Sequence, residues 1–306
     1  MTRALLITNP AAARTGARAL AAVRETLRQG GWAVDLLETG GAGDARRFAE
    51  EARRQGFDVL ITYGGDGTAM QVAAAIAGSG IPLGLIPGGT GNLLAGNLRL
   101  PRRPVAAARA LLTARPRTID LGVVERADGL HYFAVCSGAG FDAELMRRTA
   151  SAAKRRWKMA AYVAQALTAL PRVRSTVHRI TVDGQEHRVP AAMVLVMNCG
   201  ELIPPLLRIG DHILPDDGWL DVAALDADGP ISSVAAFLRL LRGAVHGAGS
   251  GRLWVSRGRR VGVVVDAGAP RPVQLDGEVV GETPFEASLV PRALTVLVPA
   301  PGAVHD

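Results

Sequence analysis

Two glycine-rich turns, each closing an apolar β-prone run, constrain this chain more than any other feature. In ITYGGDGTAM, Ile61 to Met70, the run Phe57–Tyr63 reads as a strand. Gly64-Gly65-Asp66-Gly67-Thr68 follows as a sharp turn, and Ala69–Ala77 reads as a helix. The next strand, Pro82–Ile86, ends in Pro87-Gly88-Gly89-Thr90-Gly91-Asn92. Around them, strands at Ala4–Thr8 and Ala33–Leu37 alternate with helical spacing over Arg14–Gln29, Asp44–Gln55 and Pro104–Ala114. Such alternation implies a parallel sheet covered on both faces. Ligands of these sheets sit beyond the carboxyl ends of the strands, where both turns fall.

The pattern changes after about Asp120. Leu121–Val124, His131–Ser137, His178–Val182, Ala192–Met197 and Leu220–Leu225 read as strands. So do Arg252–Val255, Val261–Val265, Val273–Leu275 and Leu294–Val298. Helical stretches at Ala152–Leu170 and Ile231–Val245 interrupt them. At 306 residues two domains are the natural division. The expected fold class is α/β: an N-terminal parallel-sheet αβα domain, residues 1–122, then a β-rich, sandwich-like domain, residues 123–290. Residues 291–306 are a candidate to return to the first.

Composition narrows the chemistry. The formal net charge is +7, and Lys154 and Lys158 are the only lysines, so arginine carries the basicity. A basic surface suits anionic partners. There is no GxxxxGK[ST] phosphate loop, and no lysine in the N-terminal half to act as a protein-kinase strand lysine. A triphosphate bound there must rely on backbone N–H groups, arginine and metal. Cys136 and Cys199 lack metal-ligand spacing and are expected to be reduced. No apolar run reaches the ~18 residues that span a bilayer. The N-terminus MTRALLITNP is read as carrying no signal peptide. Nucleic-acid binding is not expected, because no aromatic-basic segment accompanies the charge.

Glycine lets backbone approach a ligand closely, and a turn that opens a helix aims N–H groups and the positive dipole end at anions. Asp66 in that setting would repel phosphate unless it binds Mg²⁺ or takes a proton from an attacking hydroxyl. The plain alternative is an ordinary turn with Asp66 as an N-cap. In the second turn, Gly88, Gly89 and Gly91 would open a cleft wall, with Thr90 and Asn92 offering hydrogen-bonding side chains. Asn9-Pro10 follows the first strand similarly. Asn9 could bind a base or ribose, and Arg14 could reach phosphate.

Asn-Pro, GGDGT and PGGTGN in this order resemble the diacylglycerol kinase catalytic-domain family, which includes bacterial lipid kinases and sphingosine kinases. Ile119-Asp120-Leu121-Gly122 resembles that family's interdomain segment, and Gly138-Ala139-Gly140-Phe141-Asp142-Ala143 its G-x-G-F-D stretch. Leu214-Pro215-Asp216-Asp217-Gly218-Trp219-Leu220-Asp221-Val222 resembles its D-D-G-x-L-D-V segment, and Leu275-Asp276-Gly277-Glu278 its late D-G-E motif. The ordered set spans about 270 residues and is more specific than GGDGT, which NAD kinases and phosphofructokinases share.

The resemblance implies an ATP- and Mg²⁺-dependent lipid kinase with a nucleotide-binding first domain and an active site in the interdomain cleft. It places Asn9, Arg14, Gly64, Gly65, Gly67, Thr68, Gly88, Gly89, Thr90, Gly91 and Asn92 around ATP. Asp66, Asp120 and Glu278 become the candidate catalytic acids. Asp66 and Asp217 become candidate Mg²⁺ ligands, the latter at a structural site. The acceptor would be the hydroxyl of a diacylglycerol- or sphingoid-type lipid. The chain departs from the family at Ala11-Ala12-Ala13, where Ser-Gly is frequent, and at Leu93, where many members have Asp. It departs again at Gly200–Leu207, which lacks a glycine pair. An NAD-kinase-like phosphotransferase and a catalytically weak nucleotide- or lipid-binding member are the alternatives. Lys154-Arg155-Arg156-Trp157-Lys158 before Met159–Leu170 suits an anionic membrane surface, although a solvated charge run on a core helix reads equally well. Cytoplasmic, peripherally membrane-associated protein is expected, with a homodimer left open.

Overall fold

A computed structural model describes residues 1–140, 173–204, 207–229, 232–233, 252–266 and 268–300. In chain order the first elements are β1 (Arg3–Thr8), α1 (Ala17–Gln29), β2 (Ala33–Glu38), α2 (Asp44–Gln55) and β3 (Val59–Gly64). They continue with α3 (Asp66–Ile76), β4 (Leu83–Pro87), α4 (Leu93–Asn97), α5 (Pro104–Leu112) and β5 (Arg115–Arg126). Then come β6 (Gly129–Phe133), β7 (Cys136–Gly140), β8 (Thr176–Val182), β9 (Gln185–Ala191), β10 (Met193–Met197) and β11 (Glu201–Ile203). The last are β12 (Leu207–Arg208), β13 (Leu220–Leu225), β14 (Leu253–Gly258), β15 (Arg260–Val265), β16 (Pro272–Leu275), β17 (Glu278–Glu282) and β18 (Phe285–Val298). The chain divides into two compact units, Met1–Ile119 with Arg292–Asp306, and Asp120–Pro291.

In the first unit the strands run β2-β1-β3-β4, all parallel. The end of β18 joins beside β4, with Val296 opposite Leu83. Strands β3 and β4 are buried along their whole length, as a sheet covered on both faces requires. Helix α1 turns Val23 and Leu27 onto Leu6, Ile61 and Tyr63, and α5 adds Ala107, Ala108 and Leu111 to the same core. Helix α2 buries only Ala45, Ala49 and Ala52, a narrow stripe at helical spacing.

The second unit is a β-sandwich. One antiparallel sheet runs β14-β13-β10-β7-β16-β17. Across from it run β9, β8, β15 and the start of β18, with the β5–β6 hairpin. The core interleaves Val194, Val196, Leu220 and Val222 of the first sheet with Ile180, Val182, Val261, Val263 and Phe285 of the second. Gly122 is a packing requirement here: the Phe133 ring lies where its Cβ would be.

The elements differ from expectation in instructive places. Helix α1 starts at Ala17 and not at Arg14, because the Arg14 N–H donates to the Gly88 carbonyl (2.9 Å) and its carbonyl accepts the Tyr63 hydroxyl. Helix α3 starts at Asp66, earlier than Ala69, with the acid in the first turn where the dipole favours it. The expected strand His131–Ser137 is broken into β6 and β7 because the Asp276 carboxylate takes the N–H groups of Ala134, Val135 and Cys136 out of the ladder. Helix α4 and strands β9, β11, β12 and β17 were not expected. The expected helix Ala152–Leu170, with its basic segment Lys154–Lys158, lies outside the described residues, as does Ile231–Val245 except Ser232 and Ser233. Among the described residues no helix is long and apolar enough to cross a membrane. Cys136 and Cys199 are buried and not disulfide-bonded.

Candidate functional site

The two glycine turns pack on one another. Gly88 N–H and Gly89 N–H both donate to the Gly64 carbonyl, at 2.7 and 3.1 Å. Asp66 completes the join: its Oδ2 accepts the Asn92 N–H at 2.7 Å and its Oδ1 the Leu93 N–H at 2.6 Å. Asp66 thus accepts the N–H groups at the start of α4, whose N-cap is Asn92, while the N-cap of its own helix is Gly65. Burial pushes its carboxyl up to about 6, against the N–H groups of Leu93, Asn92 and Leu94, which favour the charged form. The Asn92 side chain folds back on its own turn, accepting from Gly89 N–H and donating to Gly89 O, both at 2.9 Å.

The loop after β1 is stitched to the same place. Asn9 Oδ1 accepts the Ala11 N–H at 2.9 Å, and Asn9 Nδ2 lies 3.5 Å from Thr68 Oγ1. Thr15 Oγ1 donates to the Asn9 carbonyl at 2.7 Å. Thr68 is buried, whereas Thr90 and Arg14 are exposed.

The glycines are required mainly by each other. A Cβ on Gly89 would lie 2.6 Å from Gly65 Cα, one on Gly88 2.8 Å from Thr15 Cγ2, and one on Gly91 2.7 Å from Asp66 Oδ2. A Cβ on Gly64 would meet Thr68 Oγ1 at 2.8 Å. None of these glycines has positive φ; the left-handed residue is Asn92, at φ 52°. The expectation that Gly88 and Gly89 open a cleft wall is therefore corrected: both are buried against the first turn. Gly65, Asp66 and Gly67 at the start of α3 are partly exposed, and the first-turn N–H groups of that helix have no carbonyl partner within it. Gly65 leaves room beside them, since its Cβ would make ordinary contact at 3.5 Å.

In the second unit three of the acidic motifs form one hydrogen-bonded corner. Asp120 is 2% exposed. Its Oδ2 accepts the Gly218 N–H at 2.9 Å, and its own N–H donates to the Pro215 carbonyl at 2.6 Å. Asn198 Nδ2 donates to both the Asp120 carbonyl (3.0 Å) and the Ala134 carbonyl (2.9 Å). The Ala134 N–H in turn reaches Asp276 Oδ2 at 2.7 Å. Asp276 and Gly277, at φ 46° and 93°, form the tight turn that presents Glu278 at the exposed start of β17. A hydrogen-bonded chain through Asn198, Ala134 and Asp276 links Asp120 to the turn that carries Glu278. Asp217 faces a cation: Arg257 Nη2 is 2.8 Å from its Oδ2, and the Trp219 N–H is 3.1 Å from its Oδ1.

Comparison with known proteins decides the family. Residues 3–124 match the diacylglycerol kinase catalytic domain, and residues 134–298 match the YegS C-terminal NAD kinase beta sandwich-like domain. A protein of Mycobacterium tuberculosis named diacylglycerol kinase is 34% identical over 276 residues, covering 88% of this chain and 86% of that protein. The chain belongs to the diacylglycerol kinase-like family of lipid kinases. A Pseudomonas aeruginosa protein named "Probable lipid kinase YegS-like" is likewise 34% identical, over 289 residues, covering 92% of this chain and 89% of that one. The crystal structure of a Bacillus anthracis diacylglycerol kinase matches with a TM-score of 0.76, at 20% identity, covering 99% of this chain and 98% of that one. That likeness shows a shared fold: an N-terminal parallel-sheet domain and a C-terminal sandwich-like domain.

Lipid kinases of this family are expected to use Mg²⁺, and the residues can be tested against it. Among the described residues no cluster of three His, Cys, Asp or Glu could cage a metal. Asp66 fits a Mg²⁺ that arrives on a nucleotide, since such ions keep water and phosphate ligands beside one or two carboxylates. Asp217 does not fit, because the Arg257 guanidinium 2.8 Å from its Oδ2 already supplies the positive charge and would repel a second cation. Sequence reading missed Asn198, Asp276 and Arg257. The Asp-Gly turn signalled a hairpin at Asp276, but nothing local marks Asn198 or Arg257, whose partners lie 36 to 78 positions away.

Proposed function

We propose that this chain transfers the γ-phosphate of ATP to the hydroxyl of a diacylglycerol- or sphingoid-type lipid. The observation that carries the reading is the pair of mutually packed glycine turns at the ends of β3 and β4, beside the partly exposed start of α3. The first-turn N–H groups of α3 and the helix dipole would hold phosphate oxygens. Arg14, exposed beside Gly88 through its backbone bond, would supply the cation that a P-loop lysine supplies elsewhere. Thr90, on the exposed rim of the second turn, would add a hydroxyl donor. Asn9 would position the nucleotide from the first loop. Mg²⁺ on the triphosphate would be held by Asp66 and would neutralise phosphate charge.

Phosphoryl transfer needs positioning and charge neutralisation more than covalent chemistry. Among the acids of the second unit, Glu278 is exposed on a rigid turn and suits the role of proton acceptor from the lipid hydroxyl. Asp120 is buried and holds the Gly218 N–H, so it suits a positioning role. The net charge of +7 supports contact with an anionic membrane surface, where the substrate resides.

The test is incubation of the purified protein with labelled ATP and Mg²⁺. Mixed micelles of diacylglycerol, sphingoid lipids, NAD and no acceptor are run in parallel. Label in lipid supports the proposal. Label in NAD and in no lipid would sink it, and NAD is included because the second half matches an NAD kinase-like sandwich. ATP binding without transfer would identify a binding member of the family.

A further inference from the structure

The loop Pro215–Trp219 offers the oxygens a divalent cation seeks, and two arginines occupy them. Strand β14 pairs with β13 so that Arg257 lies directly opposite Asp221. Its Nε is 3.2 Å from Asp221 Oδ1 and its Nη2 3.1 Å from Asp221 Oδ2, a two-bond fork. The same Nη2 reaches Asp217 Oδ2 at 2.8 Å and the His212 carbonyl at 3.3 Å. Arg259 donates from Nε to the Gly218 carbonyl at 3.3 Å and stacks its guanidinium 4.9 Å from the Trp219 ring centre.

Asp221 is 7% exposed and Asp217 is partly buried, so neither charge is stable there without a counterion. Burial pushes the Asp217 carboxyl up, and Arg257 opposes that. Arg257 is itself held above its ordinary range, chiefly by Asp221. The Asp217 contact is the shorter, but Asp221 engages the guanidinium twice, which accounts for its larger effect. His212, its Nε2 3.8 Å from Asp221 Oδ1, is the other titratable neighbour.

We propose that Arg257 is the built-in counterion of this loop and holds it without a divalent cation, in the position where a structural Mg²⁺ was expected at Asp217. Arg259 braces the same loop from its carbonyl side. The loop so held sets Gly218, at φ 80°, with its N–H on Asp120 Oδ2. Arg257 thereby positions Asp120 through the backbone and touches no substrate. A lysine would keep the charge but lose the two-bond fork on Asp221 that also lets Nη2 reach Asp217.

The experiment measures the thermal unfolding midpoint of the full chain in EDTA and in millimolar MgCl₂. Its readout is folding, so its failure is separable from failure of the kinase reading. The wild type is expected to melt at the same midpoint in both conditions. Arg257→Gln is expected to lose about 5 °C or more, since it orphans two carboxylates. Adding Asp217→Asn to Arg257→Gln should recover part of that loss. A wild-type midpoint that drops in EDTA, with the drop abolished by Asp217→Asn, would overturn the proposal by showing a bound cation. So would Arg257→Gln with an unchanged midpoint. If Arg257→Gln does not fold, Arg257→Lys carries the test. It should fold with a midpoint indifferent to EDTA, and a lysine variant that Mg²⁺ rescues through Asp217 would refute the assignment.

Discussion

Gly89→Ala separates two reasons for a glycine turn. If the glycines exist to admit phosphate, adding a methyl should spare the fold and weaken nucleotide binding. If they exist to let two turns pack together, the fold itself should suffer. The structure favours the second reason at Gly89: the added Cβ would sit 2.6 Å from Gly65 Cα and 3.2 Å from Asn92 Oδ1. Carbon atoms prefer roughly 3.5–4.0 Å, so the turns must part by about 1 Å. No flexible side-chain end can yield at the nearer contact, which is backbone. Overpacking of this kind costs about 1–3 kcal/mol. For a chain of this size that is a fall of roughly 2–12 °C in unfolding midpoint. Gly65→Ala is the control, because its Cβ would lie at 3.5 Å in ordinary contact and its φ is −93°. Differential scanning calorimetry on both variants, with ATP binding measured in parallel, reads the difference. Gly89→Ala should be destabilised and Gly65→Ala should keep its midpoint while losing ATP affinity. A Gly89→Ala protein as stable as wild type, impaired only in nucleotide binding, would refute the packing argument.

Other outcomes follow from the same geometry. Asp276→Ala removes the acceptor of three buried N–H groups, those of Ala134, Val135 and Cys136, and should cost about 3 kcal/mol or more by denaturant unfolding. Glu278→Gln alters an exposed residue and should leave stability within about 0.5 kcal/mol while strongly reducing lipid phosphorylation; full activity would remove Glu278 from the mechanism. Asp66 has a folded pKa raised from 3.8 to about 6, so its contribution to stability is full below 3.8 and is lost as pH rises through about 6. The loss amounts to at most about 3 kcal/mol, and Asp66→Asn should remove that pH dependence from the unfolding curve.

The N-terminal architecture was legible because its signals are local. Alternating strand and helix periods, with glycine at the strand ends, specify a parallel sheet, and β1 to β4 lie within about two residues of their expected ranges. The sandwich was legible as a class but not in detail. Strand β9, QEHRVPA, alternates too weakly for its burial to be read from side chains, and it is defined by its register against β8. The break between β6 and β7 depends on an aspartate about 140 positions away. Leu93 illustrates the same limit at the candidate site. Its departure from the family's usual Asp suggested a lost carboxylate, yet its backbone N–H is what Asp66 binds, and that bond is indifferent to the side chain.

The acids therefore divide by what their oxygens already hold. Asp276 is saturated by three N–H groups and is an organiser of the fold. Asp120 has one oxygen on Gly218 and is 2% exposed, so whatever it contributes to chemistry passes through the loop it anchors. Asp66 is the intermediate case. Its oxygens accept the N–H groups of Asn92 and Leu93, and those of Leu94 and of Asp66 itself also favour its charged form. The first two fix the carboxylate against the second glycine turn, while burial pushes its pKa up to about 6. The turn's acid is therefore first a joint between the two turns, and any cation brought to it would meet a carboxylate already fixed in place.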